Sequence, residues 1–268
     1  MLTRRTMLGG GVAAAVAATV GAGAGGAPAM AAARGGGHGG GHGGGQGGGP
    51  DPAAMLAALD QVTATGASAA LARFDGPFGS WRGASGVTEL GRPAPAPVGG
   101  RFRVGSITKT FVATVVLQLV AERRLGLEDT LERWLPGAIP NGAQITVRML
   151  LQHTSGVFDY TEVLFASLEH FLEIRLRTFT PEQLVALAAS RPPLFEPGQS
   201  WSYSNTNYVL LGMIVRRVTG RWYGDEVTAR ILRPLRLAGT EVPGTDPRIR
   251  GPHAHGYAPL EQDGAVVP

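Results

Sequence analysis

The 268-residue chain contains no cysteine, which excludes disulfides, a thiol nucleophile and any cysteine-ligated zinc. Lysine is nearly absent as well: of 24 basic side chains, 23 are arginine and one is Lys109. A sequence that uses arginine wherever a cation will serve keeps its single lysine where arginine will not. The chemical difference is that an ammonium can surrender its proton in a suitable environment, whereas guanidinium stays protonated. The formal net charge is only +4, with the arginines spread along the chain, so nothing supports nucleic-acid binding. Repeats of solenoid length are also missing.

The first fifty residues differ from the rest. Thr3-Arg4-Arg5-Thr6-Met7-Leu8 precedes an apolar stretch ending in Ala29-Met30-Ala31, the form of a twin-arginine signal peptide over residues 1–31. The stretch is Gly/Ala-rich and only weakly hydrophobic, so cleavage is expected rather than a lasting membrane anchor. A secreted, extracytoplasmic protein with no membrane span after cleavage follows. Removing Arg4 and Arg5 lowers the net charge to +2. Residues 32–50 are glycine broken by His38, His42 and Gln46, a linker that cannot bury enough apolar surface to order itself. Two histidines without a carboxylate or thiol give no metal site, and no cofactor is expected.

Residues 51–268 carry the domain. Asp51-Pro52 reads as an N-cap with proline at the first helical position, and Met55, Leu56, Leu59 and Val62 predict a helix over about 52–64. Ala67–Phe74 and Ser80–Val87 read as a hairpin, and Gly91–Gly100 as a loop. From Ser106, Phe111, Val112, Val115, Val116, Leu119 and Val120 follow helical spacing to Arg123-Arg124, predicting a buried helix of five turns. Thr146 predicts a cap for a helix through Leu151. Thr180-Pro181-Glu182-Gln183 predicts a capping box with a helix to Ser190, and Asn205 or Thr206 a cap for a helix to Gly220. Strands appear only near the N-terminus, implying a helical subdomain after the first strands of a sheet.

The chemistry gathers in two places. In Gly105-Ser106-Ile107-Thr108-Lys109-Thr110-Phe111, positions i and i+3 of one helix face put the Ser106 hydroxyl beside the Lys109 amine. A serine hydroxyl needs such a base to become a nucleophile, and the unpaired N–H groups of a helix start favour negative charge there. In an arbitrary chain the same spacing would often be a serine cap and a solvated lysine; here the lysine is the only one. The second place is Trp201-Ser202-Tyr203-Ser204-Asn205-Thr206-Asn207-Tyr208, where Tyr203 can present a phenol and Asn205 both an acceptor and a donor.

Together with Leu151-Gln152-His153-Thr154-Ser155-Gly156, Glu196-Pro197-Gly198 and His255-Gly256-Tyr257, these motifs resemble secreted serine D-alanyl-D-alanine carboxypeptidases, penicillin-binding relatives of class C β-lactamases. The resemblance covers about residues 53–260. It implies an α+β, β-lactamase/DD-peptidase-like fold: an antiparallel sheet flanked by helices plus a helical subdomain. It also implies that Ser106 is acylated, Lys109 helps deprotonate it, Tyr203 relays protons, Asn205 holds the substrate amide and Phe165 walls the pocket. The backbone N–H of Ser106 would form half of an oxyanion hole, and His153 is expected to be structural. The implied substrates are D-Ala-D-Ala-terminated peptides or β-lactams, and the expected state is a monomer. A class C-like β-lactamase or an esterase would begin with the same acylation, and an inactive remnant is the alternative outside catalysis. The family's downstream Lys/His-Thr/Ser-Gly motif finds no match, so the C-terminal strands are expected to be missing and the catalytic domain incomplete.

Overall fold

The computed structural model describes residues 51–77, 79–257, 260–262 and 265–267. The expected signal and linker lie outside them. The described residues fall into two compact units, one of residues 104–247 and the other of 51–103 with 248–267.

In the second unit, helix α1 (Pro52–Ala64) starts as the sequence predicts, with the Asp51 side chain accepting from the Ala53 N–H and proline in the first turn. It packs on an antiparallel hairpin of β1 (Ala69–Gly76) and β2 (Gly79–Gly86), registered from Ala69 opposite Gly86 to Gly76 opposite Gly79. The Ser85 hydroxyl, donating to Asp60 Oδ1 at 2.5 Å, ties β2 to α1. Residues 248–257 are bound into this unit: Arg101 N–H donates to Pro252 O and His255 N–H to Thr88 O, both at 2.8 Å. The Tyr257 hydroxyl accepts from the Leu90 N–H.

The first unit is helical. A 3₁₀ turn at Gly105–Ile107 leads into α2 (Thr108–Ala121), so the predicted helix is present but opens in tighter form. Its Val112, Val115, Val116 and Leu119 are buried at the i, i+3, i+4, i+7 spacing. Then come α3 (Leu131–Trp134), α4 (Val147–Gln152), α5 (Thr161–Leu164), α6 (Leu168–Ile174) and α7 (Pro181–Ala189). Thr146 caps α4 by accepting from the Met149 N–H, and Thr180 with Gln183 forms the capping box of α7. Helix α8 (Asn205–Thr219) ends at Gly220, whose left-handed backbone (φ 75°) closes it. A short α9 (Tyr223–Val227) runs into a π turn at Thr228–Leu232.

Helix α8 is the axis of this unit, packing against α2, α4, α7 and α9. Its Leu210, Leu211, Ile214 and Val215 are fully buried, while Arg216 and Arg217 near its C-terminal end meet solvent. Each such buried aliphatic side chain contributes about 1.5–3 kcal/mol of transfer free energy. The core therefore fixes α2 and α8 against each other, and with them the two motif-bearing segments.

Three features differ from the sequence expectation. The N-cap of α8 is Ser204, not Asn205 or Thr206, because the Asn205 and Thr206 side chains are bonded elsewhere. The helices α3, α5, α6 and α9, four to seven residues long, carry too few turns for periodicity to reveal. Beyond them, β3 (Leu260–Gln262) and β4 (Ala265–Val267) pair antiparallel, where no strand was expected.

Candidate active site

Gly105 holds φ +52°, a left-handed conformation that costs glycine little, and the chain turns there to present Ser106 at the start of the α2 segment. Ser106 is exposed, and its Oγ accepts from Lys109 Nζ at 3.1 Å across one turn. The phenol of Tyr203, just before α8, lies 2.6 Å from the same Oγ. Lys109 Nζ also donates to Asn205 Oδ1 at 2.7 Å and stands 4.7 Å from the Tyr203 ring centroid. Tyr203 OH lies 3.4 Å from Asn205 Oδ1. Four side chains from two segments thus converge as one hydrogen-bonded cluster.

Chemically, the cluster gives a hydroxyl two proton acceptors or donors on different sides, one amine and one phenol. That is the provision for moving a proton off a nucleophile and onto a leaving group. Asn205 has only one sensible orientation: Oδ1 faces the ammonium and Nδ2 faces the Asp159 carboxylate at 2.8 Å. Reversed, it would set donor against donor on one side and acceptor against acceptor on the other.

Two supporting residues were not assigned a place in the site by sequence. Asp159, 8% exposed, accepts from the Asn205 side chain and backbone and from the Thr161 N–H. His153, expected to be structural, stacks on the Tyr203 ring with centroids 4.7 Å apart and an interplanar angle of 25°. It also contacts the Tyr208 ring at 5.3 Å, edge to the exposed Trp201 at 6.3 Å. Its Nδ1 accepts from the Ser204 N–H at 3.1 Å and lies 3.2 Å from Asn207 Nδ2. Burial, and then the Lys109 charge, hold its pKa below the ordinary 6.5, keeping the ring neutral and able to accept; the Asp159 charge acts in the opposite direction. His153 occupies the C-cap of α4 at φ 61°, a left-handed position usually taken by glycine.

The loop that bears His153 is pinned by close backbone packing. Gly156 (φ +74°) passes so near Phe195 that a Cβ would stand 2.1 Å from its carbonyl oxygen. Ser155 Oγ donates to Asn207 Oδ1 at 2.7 Å, joining the loop to α8. Phe165, the expected pocket wall, sits at the C-cap of α5, 40% exposed, with Phe171 as its ring partner at 5.6 Å. It makes no ring or hydrogen-bond contact with the Ser106 cluster. Among the described residues no group of three or more His, Asp or Glu side chains comes together as a metal site.

Comparison with known proteins identifies the family and the fold. The family model described as Beta-lactamase matches residues 54–268. Penicillin-binding protein 4* of Bacillus subtilis (strain 168) is 34% identical over 157 residues, 59% of this chain and 34% of its own length. Esterase EstB of Burkholderia gladioli is 32% identical over 200 residues, 70% of this chain and 51% of its own. A solved D-stereospecific amidohydrolase from Streptomyces sp. superposes with a TM-score of 0.73 at 44% identity, over 81% of this chain and 64% of that one. The chain thus spans between 34% and 51% of the length of these two curated relatives.

Proposed function

The chain belongs to the beta-lactamase family of serine acyl-transfer hydrolases, with a β-lactamase/DD-peptidase-like α+β fold, and from that premise we propose that it is a D-alanyl-D-alanine carboxypeptidase acting on peptidoglycan stem peptides. The observation that carries this reading is the bonded cluster of Ser106, Lys109, Tyr203 and Asn205. Ser106 Oγ attacks the penultimate D-Ala carbonyl carbon while its proton passes to the Lys109–Tyr203 pair, both members within hydrogen-bond reach. The peptide C–N bond breaks, that same proton is handed on through Tyr203 to the departing amine, and an ester to Ser106 remains. Water, deprotonated through the same pair, cleaves that ester and restores the hydroxyl. The backbone N–H of Ser106 supplies one donor to the developing oxyanion.

Asn205 Nδ2 has one hydrogen committed to Asp159 and a second for the substrate amide carbonyl. Peptidoglycan lies outside the cytoplasmic membrane, which fits the twin-arginine pattern around Arg4-Arg5. No helix among the described residues is long and apolar enough to cross a membrane.

A second reading has its own support. The relative at 44% identity is named a D-stereospecific amidohydrolase, which favours D-amino-acid amides or peptides more broadly than the D-Ala-D-Ala terminus. Incubation with an acyl-D-Ala-D-Ala peptide, its L-Ala-D-Ala counterpart, a D-phenylalanine amide and p-nitrophenyl acetate separates the cases. Release of D-Ala from the first peptide alone supports the carboxypeptidase. Preferred cleavage of the D-amide supports the broader amidohydrolase, and turnover of the acetate alone makes the protein an esterase.

A further inference from the structure

Asp159 is a buried carboxylate that no lysine or arginine bonds directly among the described residues. Burying such a charge is unfavourable unless every oxygen is well bonded, and here both oxygens are. Oδ1 accepts from the Thr161 N–H at 3.0 Å, and Oδ2 from Asn205 N–H at 3.1 Å and Asn205 Nδ2 at 2.8 Å. On the far side of the same amide, Asn205 Oδ1 accepts from Lys109 Nζ. Carboxylate, amide dipole and ammonium therefore stand in line, each with the polarity the next one favours.

We propose that Asp159 is a positioning residue of the active site: it locks the Asn205 amide with Oδ1 outward, so that Lys109 is held against the Ser106 hydroxyl. This rests on the reading of Ser106 as nucleophile. The lock is needed because an amide is nearly symmetric in shape. Without an acceptor behind it, Asn205 can turn its NH₂ toward Lys109, which repels the ammonium from its perch between Ser106 and Asn205. The second bond from Oδ2, to the Asn205 backbone N–H, fixes the first residue of α8 and hence the approach of Tyr203 two residues earlier. A small displacement of a proton-transfer group costs up to about 10² in rate, so the effect reaches the chemistry.

The test is a double-mutant cycle on the full chain with Asp159→Asn, Asn205→Ala and the pair, read as the second-order rate of Ser106 acylation by a fluorescent penicillin. Asp159→Asn keeps the shape but cannot offer acceptors to both Thr161 and Asn205. It is expected to slow acylation roughly 10- to 100-fold alone, and by several-fold less when Asn205 is already alanine, where only the bond to the backbone N–H of position 205 remains to be lost. Losses that multiply across the pair, or no loss at all, overturn the proposal.

A second readout needs neither a folded variant nor activity. The chain has only three asparagines, so their side-chain amide signals can be assigned in a nitrogen-15 spectrum of the wild type. One Asn205 amide proton is expected far downfield of its partner and protected from exchange. A free-amide pattern for Asn205 overturns the proposal, whereas absence of any penicillin adduct on the wild type, with the bonded amide pattern present, defeats only the functional reading.

Discussion

The Oγ of Ser106 and the phenol oxygen of Tyr203, 97 positions apart in the chain, lie 2.6 Å from each other. No local pattern brings them together; the packing of α2 against α8 does. Because the contact is made by the buried apolar faces of two helices, the polar site in front of them can be altered one group at a time.

Lys109→Arg tests why the only lysine stands where it does. The charge is kept, but guanidinium does not release a proton, and its planar fork replaces the point charge that bonds both Ser106 Oγ and Asn205 Oδ1. Acylation is expected to fall by roughly 10²–10⁴-fold, with little change in the melting temperature. Arginine that acylates at near the wild-type rate would show that Lys109 acts only as a cation.

Tyr203→Phe removes one hydroxyl and leaves the ring on His153. Stability is expected to stay near that of the wild type, while acyl transfer to and from Ser106 slows by roughly 10²-fold or more. Single-turnover kinetics measure both steps. Equal rates in the two proteins would remove Tyr203 from the proton path.

The depressed pKa of His153 sets a pH dependence with a definite sign. Above 6.5 the ring is neutral both folded and unfolded, and nothing is lost. As pH falls below 6.5 the unfolded chain takes up the proton first, so stability declines until the folded ring titrates too. Protonation at Nδ1 also cancels its acceptance from Ser204, loosening the Tyr203 segment. Denaturant melts of wild type and His153→Gln across pH 5–8 are expected to differ in slope only on the acid side.

Away from the site, Glu226 is 6% exposed at its side chain and bonded to Arg230 at 2.5 Å, while Arg230 also pairs with Glu122. Arg230→Ala leaves Glu226 with Arg221 at 3.5 Å as its remaining cation. The expected loss is about 1–3 kcal/mol in urea unfolding, the cost of removing a charge-assisted hydrogen bond from a buried carboxylate that keeps one cation. A loss below about 1 kcal/mol would mean that the pair behaves as a surface bridge.

What could be read in the sequence is what depends on near neighbours. Ser106 with Lys109, the Thr146 cap and the Thr180–Gln183 box each need only three positions of helical spacing, and all appear as expected. Tyr203 and Asn205 were legible because they share one short motif. Asp159 was not, since its partner Asn205 is 46 positions away and an isolated aspartate before a tyrosine gives no pattern. His153 was visible in its motif, but its place beneath Tyr203 depends on a left-handed turn and on the packing of α4 against α8. The cap of α8 is Ser204 where the sequence suggests Asn205 or Thr206, for a related reason: both are good caps, but here the Asn205 side chain faces Lys109 and Asp159 and the Thr206 hydroxyl bonds Phe158 O.

The most direct measurement is the intact mass of the protein after incubation with benzylpenicillin, followed by peptide mapping. A single penicilloyl adduct is predicted on Ser106, absent from Ser106→Ala, which should melt as the wild type does. No adduct on a folded wild type, or an adduct that persists in Ser106→Ala, would contradict the assignment of Ser106 as nucleophile.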